Sequence, residues 1–83
     1  MITEELIAAA QMLAVTLKRL GKKIERAASE EKIFEEEFDY NDFLFYFNQY
    51  FIEDLIADYI YDLGYKNKLV FKDNIVKITI FFS

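Results

Sequence analysis

The sequence contains no cysteine, no histidine and no proline, and it has only two glycines. Without cysteine the chain can form no disulfide, no zinc–thiolate cluster and no thiolate nucleophile. Without histidine it has no imidazole to act as a general base. Gly21 and Gly64 stand alone, so there is no glycine-rich loop to bind phosphate groups. These absences predict a protein that is not an enzyme and that carries no cofactor and no metal site.

Lysine and arginine are absent between Phe34 and Tyr65, a stretch that has nine carboxylates and twelve aromatic residues. The net charge of the chain is −5, but it is +2 over residues 1–29, −10 over residues 30–65 and +3 over residues 66–83. Either the basic ends close on the acidic middle, or the acidic middle faces outward and engages a basic partner. With 54% apolar residues the chain is too hydrophobic to be disordered throughout.

The length of 83 residues predicts one small domain over residues 1–83. A chain of this length hides only about 60–65% of its unfolded surface, so a partner or a second copy could contribute to stability. The N-terminus is acidic, unlike a signal peptide. The apolar run over residues 6–17 is shorter than the about 20 residues that a membrane span needs. We therefore expect a cytoplasmic protein without membrane contact (the host cytoplasm, if the protein is phage-encoded).

A first helix is predicted over about residues 4–28, with Thr3 as its N-cap. Its apolar residues recur at spacings of three and four and form one seam: Leu6, Ala10, Leu13, Leu17, Leu20, Ile24 and Ala27. In the first half of the helix the face opposite this seam is apolar too. A helix with two apolar faces is usually buried between elements or subunits. That second face therefore predicts the interface of a homodimer, formed by Ala8, Met12 and Val15.

The middle of the chain allows several arrangements. Residues 29–39 are expected to be an acidic connector or a short helix capped by Ser29, unless the first helix continues to Phe38. A second helix is expected over about residues 40–63, capped by Asp39 or Asn41 and ended by Gly64. Its apolar face changes direction, which predicts a kink near residue 52. A strand over residues 43–47 is the alternative there.

The C-terminal segment, about residues 65–82, predicts a β-hairpin. Asp73 and Asn74 form a suitable two-residue turn. Pairing Lys72 with Ile75 then puts apolar residues on one face, where Phe71 opposes Val76, Leu69 opposes Ile78 and Tyr65 opposes Phe82. The predicted fold class is therefore α+β, a small domain with two or three helices followed by an antiparallel hairpin, in the order α-(α)-α-β-β.

Three aspartates, Asp54, Asp58 and Asp62, recur every four residues along the second helix. Like charges at this spacing cost about 0.2–0.5 kcal/mol per pair. This repulsion can be offset by Lys18, Lys22 and Arg26 of the first helix, or by a basic partner. Carboxylates four residues apart are separated by about 6 Å of helix rise, a periodic line of negative charge that resembles the phosphates of a nucleic acid.

Further residues are expected to join this line of charge or to anchor a partner beside it. The acidic residues expected to extend it are Glu35, Glu36, Glu37, Asp39 and Asp42. Three aromatic residues fall away from the main apolar faces and are predicted to be exposed anchors, because tyrosine in particular is favoured at binding surfaces. These anchors are Phe45, Tyr46 and Tyr61.

The sequence therefore predicts a small acidic inhibitor or regulator that binds a basic cleft on a partner protein. Its most specific form is a nucleic-acid mimic that blocks a nucleic-acid-binding enzyme. In size and charge the chain resembles the small acidic proteins of phages and mobile elements that counter host defence, such as anti-restriction and anti-CRISPR proteins, although no motif is shared. Direct binding of nucleic acid is not expected, because that would need a basic groove. The alternatives are a self-associating structural or assembly protein, held by the first helix or the hairpin edge, and an adaptor whose first helix binds a client helix.

Overall fold

Two α-helices cover one face of a three-stranded antiparallel sheet in the structure, a computed structural model that describes residues 3–82. The elements in chain order are α1 (Glu4–Ser29), β1 (Phe34–Asp39), a 3₁₀ helix (Asn41–Phe45), α2 (Gln49–Asp62), β2 (Lys66–Lys72) and β3 (Ile75–Phe81). The order of strands in the sheet is β1-β3-β2. The predicted α+β class is confirmed. Residues 1, 2 and 83 of the predicted domain lie outside the described residues.

The first helix begins and ends close to the predicted positions. The hydroxyl of Thr3 accepts a hydrogen bond from the Leu6 N–H at 3.1 Å, which is the expected N-cap. At the other end, the Lys32 N–H donates to the Ala27 carbonyl at 3.0 Å, and Glu31 has φ 55°. This pattern is a Schellman motif, which turns the chain away from the helix axis. A continuous first helix to Phe38 is therefore wrong, and Ser29 ends α1 rather than capping a second helix.

Residues 34–39 form the strand β1, so the prediction of an acidic connector or short helix over residues 29–39 is wrong. Phe34 and Phe38, four residues apart, fit a helix face as well as a strand face, so their spacing does not distinguish the two. The strand is favoured because the central strand β3 has backbone donors and acceptors along both edges, and β1 pairs with the edge that β2 leaves open. β1 pairs antiparallel with β3, from Phe34 opposite Ile80 to Asp39 opposite Ile75.

The C-terminal hairpin has the predicted register. Lys72 pairs with Ile75, and Leu69 pairs with Ile78. Asp73 and Asn74 have φ of 54° and 63°, as a type I′ turn requires. The rings of Tyr65 and Phe82, also predicted to oppose each other, are 4.9 Å apart. Because β3 is central, only β2 remains as a free edge of the hairpin.

The single helix predicted over residues 40–63 is two helices with a break between them. The 3₁₀ helix ends at Phe45, and α2 begins at Gln49 with Asn48 as its N-cap, whose side-chain oxygen accepts from the Tyr50 N–H at 2.8 Å. The predicted kink near residue 52 is wrong, because α2 runs through this residue as one continuous helix and the chain breaks before Gln49 instead. Neither Asp39 nor Asn41 caps α2, although Asp39 Oδ1 accepts a hydrogen bond from the Asn41 N–H at 2.9 Å at the start of the 3₁₀ helix. The predicted strand over residues 43–47 is wrong. Gly64 ends α2 with φ 82°, as predicted.

The core lies between the helices and the inner face of the sheet. Six residues are fully buried along α2 and β3: Ile52, Ile56, Ile60, Val76, Ile78 and Ile80. α1 contributes buried residues only from Leu13 onward, so its first half extends past the core. α1 and α2 meet closely at Gly21, where a Cβ atom would overlap the Tyr59 hydroxyl. This arrangement leaves the outer side of α2 and the outer face of the sheet on opposite sides of the molecule.

Candidate partner-binding surface

The outer side of α2 carries a row of exposed carboxylates. Asp54, Asp58 and Asp62, called here the aspartate stripe, recur every helical turn and are all exposed. The fully buried Ile56 and Ile60 lie on the other side of the same helix. Burial of the isoleucines against the core therefore holds the stripe toward solvent.

The aspartate stripe has no basic partner within residues 3–82. The salt bridges there are Lys23–Glu36 at 2.9 Å, Lys77–Glu35 at 2.8 Å and Lys32–Glu30 at 3.8 Å. Lys18, Lys22 and Arg26, the basic residues expected to neutralise the stripe from α1, take part in none of these pairs. The helices contact each other through apolar residues, while both charged faces point to solvent. Among the described residues no basic side chain neutralises the stripe, so its carboxylates are available to the basic side chains of a partner protein.

Two tyrosines flank the aspartate stripe. Tyr61 is 70% exposed and lies three residues after Asp58, which places it on the same side of α2. Tyr50 is 74% exposed and lies four residues before Asp54. Tyr61 was among the predicted anchors, whereas Tyr50 was not. Its spacing from Asp54 is the signal that could have placed it here.

The predicted glutamate extension of the stripe does not form, because β1 is a strand. Successive side chains of a strand point to opposite faces. Glu35, Glu37 and Asp39 therefore lie on the outer face of the sheet, and Glu36 turns inward to Lys23 of α1. The structure thus places Glu35, Glu37 and Asp39 on the side of the molecule opposite the aspartate stripe and pairs Glu36 with α1.

The outer face of the sheet balances its own charge. Glu35 accepts a hydrogen bond from Lys77 of the neighbouring strand, and this bond together with the charges of Glu35 and Glu37 raises the pKa of the Lys77 amine. Lys68 and Lys72 line the other edge of the same face on β2. This face is consequently acidic at one edge, basic at the other and much less anionic than α2.

The remaining predicted residues lie on or next to the 3₁₀ helix. Phe45 is 83% exposed and Tyr46 is 39% exposed, and their ring centroids are 5.0 Å apart in an edge-to-face arrangement. Asp42 is exposed on the same short helix. Phe51, in the first turn of α2, is also half exposed. This end of the molecule therefore presents aromatic surface, with a single carboxylate beside it.

A partly buried hydrogen bond connects α2 to the residue that follows β1. The hydroxyl of the fully buried Tyr40 donates to Glu53 Oε2 at 2.7 Å, and Gln49 Nε2 donates to the same oxygen at 3.1 Å. Burial, followed by the hydrogen bond to this carboxylate, raises the pKa of Tyr40 to about 12. Because Glu53 precedes Asp54, the contact helps to fix the side of α2 on which the stripe lies.

Within the described residues, no group of three or more acidic side chains is arranged to hold a metal ion. None of the helices described is long and apolar enough to cross a bilayer. Comparisons with protein-family models, with curated proteins and with solved structures found no match to this chain.

Proposed function

We propose that this chain is a small acidic, non-enzymatic binding protein that engages a basic cleft of a partner protein through the aspartate stripe. The observation that carries the proposal is the unpaired state of Asp54, Asp58 and Asp62 among the described residues. Each neighbouring pair costs about 0.2–0.5 kcal/mol in the free protein. Asp62 lies at the end of α2, where the helix dipole disfavours an anion by about 0.3–1 kcal/mol, and the last turn contains no basic residue. A basic partner relieves both costs.

The exposed tyrosines supply the apolar part of such a contact. A ring with a polar tip buries a large area at low cost in conformational entropy, which is why tyrosine is enriched among the residues that dominate binding energy. Tyr50 and Tyr61 flank the stripe at its two ends. The proposed surface is therefore a charged row with an aromatic anchor near each end.

The narrower form of the proposal is a nucleic-acid mimic that occupies the groove of a nucleic-acid-binding enzyme, as an inhibitor of the phage or mobile-element type would do in the host cytoplasm. Its support is the regular spacing of the stripe, about 6 Å per step. In this form the partner binds either this protein or its nucleic acid, and the two compete. The chain itself is not proposed to bind nucleic acid.

A matched pair of triple variants tests which acidic surface is used. Asp54→Asn/Asp58→Asn/Asp62→Asn removes three charges from α2, and Glu35→Gln/Glu37→Gln/Asp39→Asn removes three charges from the outer sheet face. Each variant and the wild type are immobilised as bait for a lysate of the native host. We expect one basic protein to be retained by the wild type and by the sheet variant, and to be lost with the α2 variant. Equal loss with both variants, or equal retention by both, contradicts the proposed surface.

The retained protein is then purified to measure affinity and competition. We expect its affinity to fall steeply between about 50 and about 500 mM salt, because exposed charges are screened over this range. Affinity that is independent of salt contradicts the electrostatic proposal. If the retained protein binds nucleic acid, displacement of this chain by that nucleic acid supports the mimic, and formation of a ternary complex contradicts it.

A second candidate function is self-association as a structural or assembly protein. The observation favouring it is the apolar surface of the first half of α1, where Met12 is 58% and Val15 is 44% exposed and Ala8 is exposed too. Light scattering at micromolar concentration distinguishes this candidate. A mass that stays at the monomer value contradicts it.

A further inference from the structure

A groove runs along the first half of α1 on a side different from that of Ala8, Met12 and Val15. Its volume is about 490 Å³, and its lining residues are Leu6, Ile7, Ala10, Gln11, Ala14 and Phe47. Five of these six are apolar, yet Ile7 is 47% exposed, and Ala10 and Ala14 are exposed. Alanines at these two positions let another helix approach closely. The groove is thus shaped for a helix.

The exposed area of the chain is sufficient for a stable interface. Its accessible surface is 6140 Å², roughly 900 Å² more than the about 5,200 Å² typical of a monomer of this size. A standard interface covers about 800 Å² on each partner. The radius of gyration, 13.5 Å, also exceeds the about 12 Å typical of a compact chain of this length. The excess is comparable in size with the area that one partner of a dimer covers, and the first half of α1, which extends past the core, contributes to it.

The charges beside the groove are complementary to those of a second copy in one orientation. Glu4, Gln11 and Lys18 recur every seven residues, so they lie on one side of α1 next to Ile7 and Ala14. All three are exposed, and none is in a salt bridge within residues 3–82. When two such helices run antiparallel, the negative end of each row meets the positive end of the other.

We infer that a second copy of this chain covers the groove with its own α1, antiparallel to the first and related to it by a two-fold axis near Gln11. Glu4 of each copy then faces Lys18 of the other, and the two Gln11 side chains meet at the axis. Ile7 packs toward the alanines of the facing helix, and Phe47 closes the groove from below. The inference rests on the second candidate function, to which it adds a surface and an orientation. It does not depend on the aspartate stripe.

Two matched alanine variants test the surface. Ala10→Glu places a charge in the groove, and Ala8→Glu places the same charge two residues earlier on the other face. Both positions are exposed helix positions, so both variants are expected to fold, which circular dichroism checks. In sedimentation equilibrium of the full chain, Ala10→Glu is expected to weaken the dimer at least on the order of tenfold. Ala8→Glu tests the face predicted from the sequence and is expected to weaken the dimer less than Ala10→Glu does. Ile33→Glu, at a 66% exposed residue between α1 and β1 that lies on neither face, is the control for the added charge and is expected to keep the dissociation constant within about threefold of the wild type.

Charge reversal tests the orientation without disturbing the groove. Glu4→Lys alone and Lys18→Glu alone each create two repulsive pairs and are expected to weaken the dimer roughly tenfold. The double variant Glu4→Lys/Lys18→Glu restores the attraction and the wild-type dissociation constant. An equimolar mixture of the two single variants, labelled with different fluorophores, is expected to form heterodimers in preference to homodimers.

The outcomes separate this inference from the function on which it rests. A strict monomer at all concentrations overturns both the inference and self-association. A dimer that is weakened by Ala8→Glu but not by Ala10→Glu overturns the groove and supports the face predicted from the sequence. A dimer that depends on Ala10 but does not respond to charge reversal overturns the antiparallel orientation, and self-association stands.

Discussion

A single hydroxyl group links the sheet side of the molecule to the helix that carries the aspartate stripe. Tyr40 follows β1 directly, is fully buried and donates its hydrogen bond to Glu53 of α2. Its raised pKa of about 12, against an ordinary value of 10.0, means that the folded state favours the neutral phenol. The stabilisation is therefore complete below about pH 10 and is lost as the pH rises through the folded pKa.

We expect Tyr40→Phe to reduce the loss of stability between pH 10 and pH 12. The two-unit difference in pKa corresponds to at most about 2–3 kcal/mol of unfolding free energy in the wild type. The measurement is urea denaturation at several alkaline pH values, combined with tyrosinate absorbance. The wild-type absorbance is expected to show a titration near pH 12 that Tyr40→Phe lacks.

Tyr46→Phe is the matched control, because it removes a hydroxyl from a partly exposed ring next to the 3₁₀ helix. Deprotonation of the lysines lowers the unfolding free energy of all three proteins equally at alkaline pH, so its effect cancels in the comparison. If Tyr40→Phe loses as much stability as the wild type between pH 10 and pH 12, the Tyr40 hydroxyl does not stabilise the folded state through its raised pKa.

At the scale of elements, the end of α1 decides whether β1 forms. Glu31 occupies the position of the Schellman motif that requires positive φ, which is usually glycine. For an L-residue this conformation costs roughly 1–2 kcal/mol. Because the turn directs residues 32–34 away from the helix axis, the strained residue is what lets the chain return along α1 as a strand.

We therefore expect Glu31→Gly to stabilise the fold. Glycine relieves the strain but increases the conformational entropy of the unfolded chain, so the net gain in unfolding free energy is about 0.5–1 kcal/mol. Glu31→Ala removes the same carboxylate but keeps the Cβ atom, so it is the control and is expected to give no such gain. Urea denaturation measures both. An equal gain in the two variants would show that charge, and not backbone strain, limits stability at this turn.

The elements that could be predicted are those whose signals are local. The seam of α1 and the Asp73–Asn74 turn each depend on residues close together in the chain, and both elements form as predicted. β1 could not be recognised in this way, since its short acidic segment satisfies a helical pattern as well as a strand pattern. Its conformation is decided by β3, more than thirty residues later, whose second edge needs a partner. The sequence does not predict the break before α2, because an asparagine such as Asn48 can lie inside a helix as well as cap one, and only its extended backbone identifies it as the N-cap.

At the scale of the whole molecule, the sequence predicts which aspartates form the stripe. It does not predict whether the glutamates before α2 extend the stripe or whether basic residues of α1 neutralise it. The spacing of Asp54, Asp58 and Asp62 is enough to place them on one side of a helix. Whether they meet the basic residues of α1 depends on how the two helices are rotated about their axes, which the contact of Gly21 with Tyr59 and the hydrogen bond of Tyr40 with Glu53 decide together. The glutamates are separated from the stripe because residues 34–39 form a strand, which their local sequence does not distinguish from a helix.

A surface used for binding is expected to reduce the stability of the free protein, and the two acidic surfaces differ in this respect. Asp54→Asn/Asp58→Asn/Asp62→Asn removes two like-charge contacts and an unfavourable charge near the end of α2. The unfolding free energy should therefore rise by about 0.5–2 kcal/mol at low salt, and the gain should shrink as salt is added.

The control is Glu35→Gln/Glu37→Gln/Asp39→Asn, which changes the net charge equally but breaks the contact of Glu35 with Lys77. If repulsion across the whole chain were the cause, both triple variants would be stabilised alike. If basic side chains of the same chain neutralised the stripe, the α2 variant would instead be destabilised. If the unfolding free energy rises only in the α2 variant, the charges of the stripe destabilise the free protein. A basic partner that neutralises these charges would remove that destabilisation.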